Sequence, residues 1–227
     1  MEILIPILIA LLIAAVIAGI YGKAQRRKLF RKIATGMGCR YYEDDPFSIA
    51  RRFEGKFSTL TNGSNRYAFN VIDGEWEGYP LRLFDHHNET YSHSKNGRQT
   101  HHHYRTFVLL EHDMHLGHLE IRPEGMFDKL KAAFGFDDID FESAEFSRKW
   151  HVGAKDRKFA YDMLHPKMME YFLTLRGFRI STNGEWGLYR VGSGRMNQLE
   201  IRRTLRAADG FIERVPRFVR KDREHLS

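Results

Sequence analysis

The chain has 227 residues, 42% hydrophobic and 29% charged, a balance that fits one medium or two small folded domains and excludes a disordered or fibrous protein. Its single cysteine excludes a disulfide framework and a multi-thiolate zinc site. The net charge of +7 first suggests an anionic partner, yet Lys23, Arg26, Arg27, Lys28, Arg31 and Lys32 supply six cations with no acid among them, and removing these leaves +1 for everything else.

Residues 3–21 read ILIPILIALLIAAVIAGIY and carry no charge. As a helix at about 1.5 Å per residue this stretch reaches about 28 Å, close to the hydrocarbon thickness of a bilayer. Pro6 lies in the first turns, where a missing amide costs little. A cleaved signal peptide carries positive charge ahead of its apolar stretch, and here only Met1 and Glu2 precede it. The sequence therefore predicts a retained single-pass anchor over residues 1–22. The cations that follow it place residue 23 onward in the cytoplasm and the N-terminus across the inner membrane. Cys39 fits a reducing compartment. The basic segment, 23–36, serves as a stop-transfer signal. Because a cation beside an anionic leaflet contributes about 1 kcal/mol, Lys23, Arg26, Arg27, Lys28, Arg31 and Lys32 are also candidate headgroup contacts, with anionic lipid as the expected partner. Ala14 and Ala18, and Ala15 and Gly19, have the small-xxx-small spacing that permits a homodimer through the anchor.

Beyond the anchor, Leu29, Phe30, Ile33, Ala34 and Met37 mark one apolar face of a helix ended by Gly36 and Gly38. Asp45-Pro46 predicts a capped helix through about Arg52, and Gly, Asn and Ser at 62–65 a loop. Tyr67, Phe69 and Val71 alternate as a strand, Asp73-Gly74 reads as a turn, and Tyr79–Asp85, Tyr104–Glu111 and Leu116–Ile121 as further strands around a polar hairpin tip at 88–100. Pro123-Glu124-Gly125 opens a helix burying Phe127, Leu130 and Phe134, followed by a strand-like stretch from Ile139 to Val152. Asp156 caps a helix through Leu164, and Pro166 starts another through about Arg176. Asn183-Gly184 reads as a hairpin turn between Phe178–Thr182 and Glu185–Val191. The last helix runs from about Asn197 to Arg214 with Leu199, Leu205, Ala208, Phe211 and Ile212 inward. The expected fold class is α+β: a single N-terminal transmembrane helix, then a soluble domain of antiparallel strands and hairpins with several packed helices over 37–215, divisible near 136, and a charged tail over 216–227.

The stretch DIDFESAEFSRKWHVGAKDRKFAYDMLHPKMMEYF at 138–172, with NVIDGEWEGYPLRLFD at 70–85 and LEIRPEGMFDKL at 119–130, resembles an uncharacterised family of bacterial membrane-anchored proteins with one or two N-terminal spans and a cytoplasmic α+β domain. The resemblance covers roughly residues 24–215. It implies architecture and brings no activity, substrate or catalytic residue.

Nine of the twelve histidines fall between His86 and His118. On a strand His101 and His103 share a face, and pairing Leu83–His87 with His103–Phe107 brings His86 or His87 toward it. Neutral imidazoles so arranged suit zinc, copper or nickel, which makes His86, His101, His103 and His112 candidate metal ligands, with Asp85, Glu89 or Glu111 completing the shell. The competing reading is a solvated polar hairpin. Asp137, Asp138, Asp140, Glu142 and Glu145 resemble a magnesium or acid–base set, but Asp138, Asp140 and Glu142 alternate with Ile139 and Phe141 and read as the wet face of an edge strand. Met163, Met168, Met169, Tyr171, Phe172 and Leu175 form a helical core stripe. Cys39 and Ser193 lack the setting of a nucleophile, and there is no phosphate-binding loop or dinucleotide fingerprint, so no catalytic residue is expected. With basic residues concentrated beside the anchor, nucleic acid is not an expected partner. The leading expectation is a membrane-tethered cytoplasmic domain that binds a protein partner or lipid surface; the alternative is a transition-metal-binding or metal-sensing module built on residues 86–118.

Overall fold

The apolar and basic segments form one unbroken helix, α1 (Leu4–Met37), 34 residues long. The computed structural model describes residues 4–94, 97–125, 139 and 141–221, and along α1 the side chains are exposed from Ile5 to Gln25. This helix is long and apolar enough to cross a membrane, and its apolar window is not buried in the body. Its last turns are part of the core: Phe30, Ile33 and Ala34 are buried there, and Gly38 at φ +68° ends the helix.

The chain then lays down β1 (Arg40–Tyr42), two single-turn helices, α2 (Ile49–Arg52) and α3 (Ser58–Thr61), and three long strands, β2 (Ser64–Trp76), β3 (Tyr79–Ser94) and β4 (Gly97–Pro123). Next come α4 (Ala144–Lys149), β5 (Trp150–Ala154), α5 (Arg157–Met163), α6 (Pro166–Thr174), β6 (Phe178–Val191), α7 (Gln198–Glu213) and α8 (Arg217–Lys221). The strands make one antiparallel sheet in the order β1-β2-β3-β4-β5, with β6 also paired to β4. Ile72, Leu83, Val108, Ile121 and Ile180 pack on one face against α1, α6 and α7; Val71, Phe84, Phe107, Leu109 and Leu188 pack on the other under α2 and α3. The expected α+β architecture is the one observed.

Several local expectations are corrected. Asp45 does cap, its carboxylate accepting from the Phe47 and Ile49 amides at 3.0 and 2.6 Å, but it closes a turn and the helix starts only at Ile49. Asp73-Gly74 is not a turn. Strand β2 continues to Trp76 and the chain reverses at Glu77-Gly78, whose φ values of 49° and 84° suit a tight hairpin. Glycine stands at 74 because Cys39 packs over it: a Cβ there would lie 2.5 Å from the Cys39 Sγ. Tyr104–Glu111 and Leu116–Ile121 belong to one strand, β4, and the residues expected to form a polar tip remain in the ladder out to the pair Ser94↔Gly97. Nor is Asn183-Gly184 a hairpin turn: both flanking segments pair with the same edge of β4. Gly184, at φ +65°, sits opposite Leu116 where the register of the two strands slips, the usual setting for glycine inside a bulged strand.

The strand expected from Ile139 to Val152 is mostly helix and turn, with β5 beginning only at Trp150. Ser143 accepts from the Phe146 amide at 3.3 Å as an N-cap, with Glu145 in the first turn and Arg148 and Lys149 in the last. Glu145 therefore lies on a helix rather than in the strand-like stretch. The helix expected to bury Phe127, Leu130 and Phe134 lies outside the described residues, as do Asp137, Asp138 and Asp140. Asp156 and Pro166 start α5 and α6 as expected, and Asn197 with Glu200 forms a capping box on α7. On α7, however, Leu199 is exposed and Ile201 and Thr204 are buried in its place.

Candidate functional site

One acidic side chain of the sheet is fully buried beside α1. Asp85 on β3 accepts from the Arg26 Nε at 2.9 Å and Nη2 at 2.7 Å, a two-pronged pair. Thr106 Oγ donates to the same carboxylate at 2.7 Å and Asn70 Nδ2 at 3.2 Å, while Arg26 also donates to the Met196 carbonyl at 2.7 Å. Strands β3 and β4 and the approach to α7 thus close on one guanidinium, and β2 reaches its aspartate through Asn70. Arg26 is the correction among the six juxtamembrane cations: its side chain points into the body, not toward headgroups. Arg27 pairs with Glu43, whose carboxylate also lies 4.0 Å from Arg31. Lys23, Lys28 and Lys32 make no ion pair among the described residues and stay exposed.

Just N-terminal to this joint, α1 and the body enclose a groove of about 500 Å³. Ala18, Gly19, Gly22, Lys23 and Arg27 line one wall, and Tyr67, Phe69, Tyr104 and Arg195 the other. The Arg195 guanidinium sits 4.5 Å above the Tyr104 ring and 5.6 Å from that of Phe69, and Tyr67 and Tyr104 are both exposed. Two missing side chains, at Gly19 and Gly22, open the helix wall of the groove.

The histidines follow the register. β3 pairs with β4 as Leu83↔Val108, His86↔Arg105 and Thr90↔His101, one residue away from the pairing expected. Because side chains alternate, that single step decides which imidazoles meet. His86, His101 and His103 share the α2–α3 face without converging. His86 is fully buried with neither ring nitrogen partnered, and burial pushes it down to about 3. His103 Nε2 lies 2.7 Å from Thr90 Oγ, and His101 Nε2 2.7 Å from Ser92 Oγ. His112, farther along β4, is buried with Nδ1 held 2.7 Å from the Met114 carbonyl. Burial lowers the pKa of both His103 and His112.

The group the fold does assemble is His87, Glu89 and His102, with one ligand atom from each within 4.8 Å of the others. Glu89 and His102 are direct cross-strand partners, and His87 lies two residues before Glu89 on the same face. His87 Nδ1 faces the Asn65 carbonyl at 3.0 Å and donates to it; in the neutral ring Nε2 then accepts from His102 Nδ1, 3.1 Å away. Glu89 receives Asn65 Nδ2 at 2.7 Å, and this hydrogen bond leads the effects that lower its pKa. The spacing H-x-E facing a histidine on the neighbouring strand was the available signal, but it is readable only once the register is known.

No protein-family model matches the chain, and no curated protein matches it. Among solved structures, the crystal structure of the mycobacterial trehalose monomycolate transport factor A, TtfA, is similar with a TM-score of 0.60, covering 86% of this chain and 97% of that one at 15% identity. At that identity the likeness is one of fold.

Proposed function

We propose that the protein is a membrane-tethered cytoplasmic interaction domain. It acts by holding a partner at the bilayer surface and carries out no chemistry of its own. The observation that carries this reading is the buried Arg26–Asp85 pair, which fixes the anchor helix to the sheet and so gives the body one attitude to the membrane. The adjoining groove, with aromatic rings and Arg195 on one side and small residues on the other, offers a partner or lipid a surface at the membrane interface. Lys23, Lys28 and Lys32 add attraction to anionic lipid at the cytoplasmic face. A similar fold in a protein described as a transport factor is compatible with an interaction role.

The test is a photo-crosslinking amino acid at Tyr104 or Phe69 of the full chain in its native membrane, with a reporter fused after Ser227 to record topology. Discrete protein or lipid adducts at the groove, absent from a control label at Leu199, together with a cytoplasmic reporter, are the expected result. Adducts no different from the control, or a reporter active outside the cytoplasm, reject the reading.

The His87–Glu89–His102 cluster favours a second reading, a transition-metal module using two imidazoles and a carboxylate. Mass-spectrometric metal analysis of untagged protein, purified without metal resin, distinguishes it. Stoichiometric zinc, copper or nickel lost on His102→Ala would put this reading first.

A further inference from the structure

Strand β2 carries a bulge beside the β3–β4 hairpin. Ser64 pairs with Glu89 and Tyr67 with His87, so Asn65 and Arg66 stand opposite the single residue Asn88. Asn65 there takes a left-handed backbone, at φ 48°, which asparagine tolerates better than most residues. A bulge gives up regular pairing and re-aims the residues within it. Asn65 is aimed twice: its carbonyl accepts from His87 Nδ1 at 3.0 Å, and its Nδ2 donates to Glu89 Oε1 at 2.7 Å.

The first contact leaves the His87 Nε2 lone pair available, and the second orients the carboxylate. His102 joins them from β4, its Nδ1 lying 3.1 Å from His87 Nε2 and 3.4 Å from Glu89 Oε1. The His87 ring is also packed against those of Tyr67 and Tyr104, with centroids 4.7 and 4.8 Å away, and Glu89 Oε2 accepts from the Tyr91 hydroxyl at 3.1 Å. His87 is buried while the His102 side chain is half exposed, so the group opens to solvent on the β4 side.

The separations discriminate between coordination geometries. Ligands about 2.0–2.1 Å from a tetrahedral ion stand about 3.3 Å apart, whereas adjacent ligands of a square-planar or octahedral ion stand about 2.8–3.0 Å apart. The two measured separations, 3.1 and 3.4 Å, bracket the tetrahedral value, and all three ligand atoms lie within 4.8 Å of one another.

We propose that His87 Nε2, His102 Nδ1 and Glu89 Oε1 hold a zinc ion, with Asn65 as the residue that positions two of the three ligands. This rests on the transition-metal reading above and adds to it the ion, the ligand atoms and the positioning residue. Two imidazoles and a carboxylate are a zinc donor set, and a carbonyl bonded to the other ring nitrogen is a common way to orient a ligating histidine. Three protein ligands leave the fourth position, on the solvent side, to water or another exchangeable donor. That is the coordination of a ligand-exchanging zinc rather than of a closed structural one.

The experiment is zinc titration of the full chain in detergent, purified untagged and stripped with a chelator, against a competing indicator, with parallel cobalt(II) spectra. One zinc per chain is expected, and bound cobalt should show the intense visible bands of a four-coordinate ion, shifting when azide is added. Asn65→Gly, which suits the left-handed backbone and removes only the side-chain amide, should weaken zinc binding about 10-fold. His87→Ala, Glu89→Gln and His102→Ala should each weaken it more. His101→Ala and His103→Ala, on the opposite sheet face, should bind as the parent does. Far-UV circular dichroism in zinc-free buffer confirms that each variant is folded. No saturable zinc binding at ~10 μM, or affinity unchanged in all three ligand variants, overturns this inference and the transition-metal reading together. Metal lost in the ligand variants but with a six-coordinate cobalt spectrum, or with affinity unchanged in Asn65→Gly, overturns this inference alone.

Discussion

If the anchor is fixed to the body through Arg26, its replacement by methionine should cost far more than loss of any other juxtamembrane cation. The change leaves Asp85, which is 0% exposed, as a buried carboxylate supported only by Thr106 and Asn70. Breaking a buried ion pair from one side costs about 3–5 kcal/mol, because the surviving charge has lost both water and partner. Asp85→Asn should cost less, about 1–3 kcal/mol, since Arg26 keeps the Met196 carbonyl and Thr106 hydroxyl, each at 2.7 Å. The double variant removes both charges and should be more stable than the sum of the single losses implies, with a coupling of about 2 kcal/mol or more. Lys23→Met and Lys28→Met should change stability by less than about 0.5 kcal/mol. Denaturant unfolding of the full chain in detergent, followed by fluorescence of Trp76, Trp150 and Trp186, supplies all five values. A coupling below about 0.5 kcal/mol, the range of an exposed pair, would refute the buried joint.

Two further outcomes follow from the packing. Gly74→Ala should destabilise the protein by about 1–3 kcal/mol, because its Cβ would meet Cys39 Sγ at 2.5 Å, and Cys39→Ala in the same chain should recover much of the loss; no loss in unfolding free energy would mean the strand has room there. His86 titrates at about 3 folded against 6.5 unfolded, so between those values the unfolded chain holds the extra proton and stability falls as the pH drops from about 6.5. The contribution is about 1.4 kcal/mol per pH unit, and unfolding measured from pH 7 to 4.5 should be less steep in His86→Leu; an identical slope would show that the imidazole is reached by water.

The parts of the fold readable in advance are those set by neighbours in sequence. Asp156, Pro166 and Asn197 start helices because a cap needs only the next three residues. The misread parts depend on distant residues. Asp73-Gly74 and Asn183-Gly184 have turn chemistry, yet Gly74 answers to Cys39 and Gly184 to a register slip opposite Leu116. In the sequence Arg26 is one of six equivalent cations; what distinguishes it is an aspartate 59 positions away. The histidine group required a register that a one-residue error inverts. The four arginines lining a cavity on the α2–α3 side come from two strands, at positions 105, 122, 179 and 190, and no window of sequence contains them together.

If α1 crosses the bilayer as proposed, the joint also sets how far the body stands from the membrane. At about 1.5 Å per residue, Arg26 lies only about 8 Å along the helix axis from Tyr21, where the charge-free stretch ends. With that stretch across the bilayer core, no spacer separates membrane from domain. The groove between Gly22 and Tyr104 then falls within the headgroup layer, the depth that tyrosine rings and long cationic side chains prefer. A flexible stalk would let the body present any surface; a helix whose Phe30, Ile33 and Ala34 are core residues allows only one. The sheet consequently has two unlike faces. The one against α1 is committed to holding position, and the arginine-lined one on the α2–α3 side is turned from the anchor. A displacement of β4 would be carried to Arg26 by Thr106, because its hydroxyl joins Asp85, Arg26 and the Met196 amide.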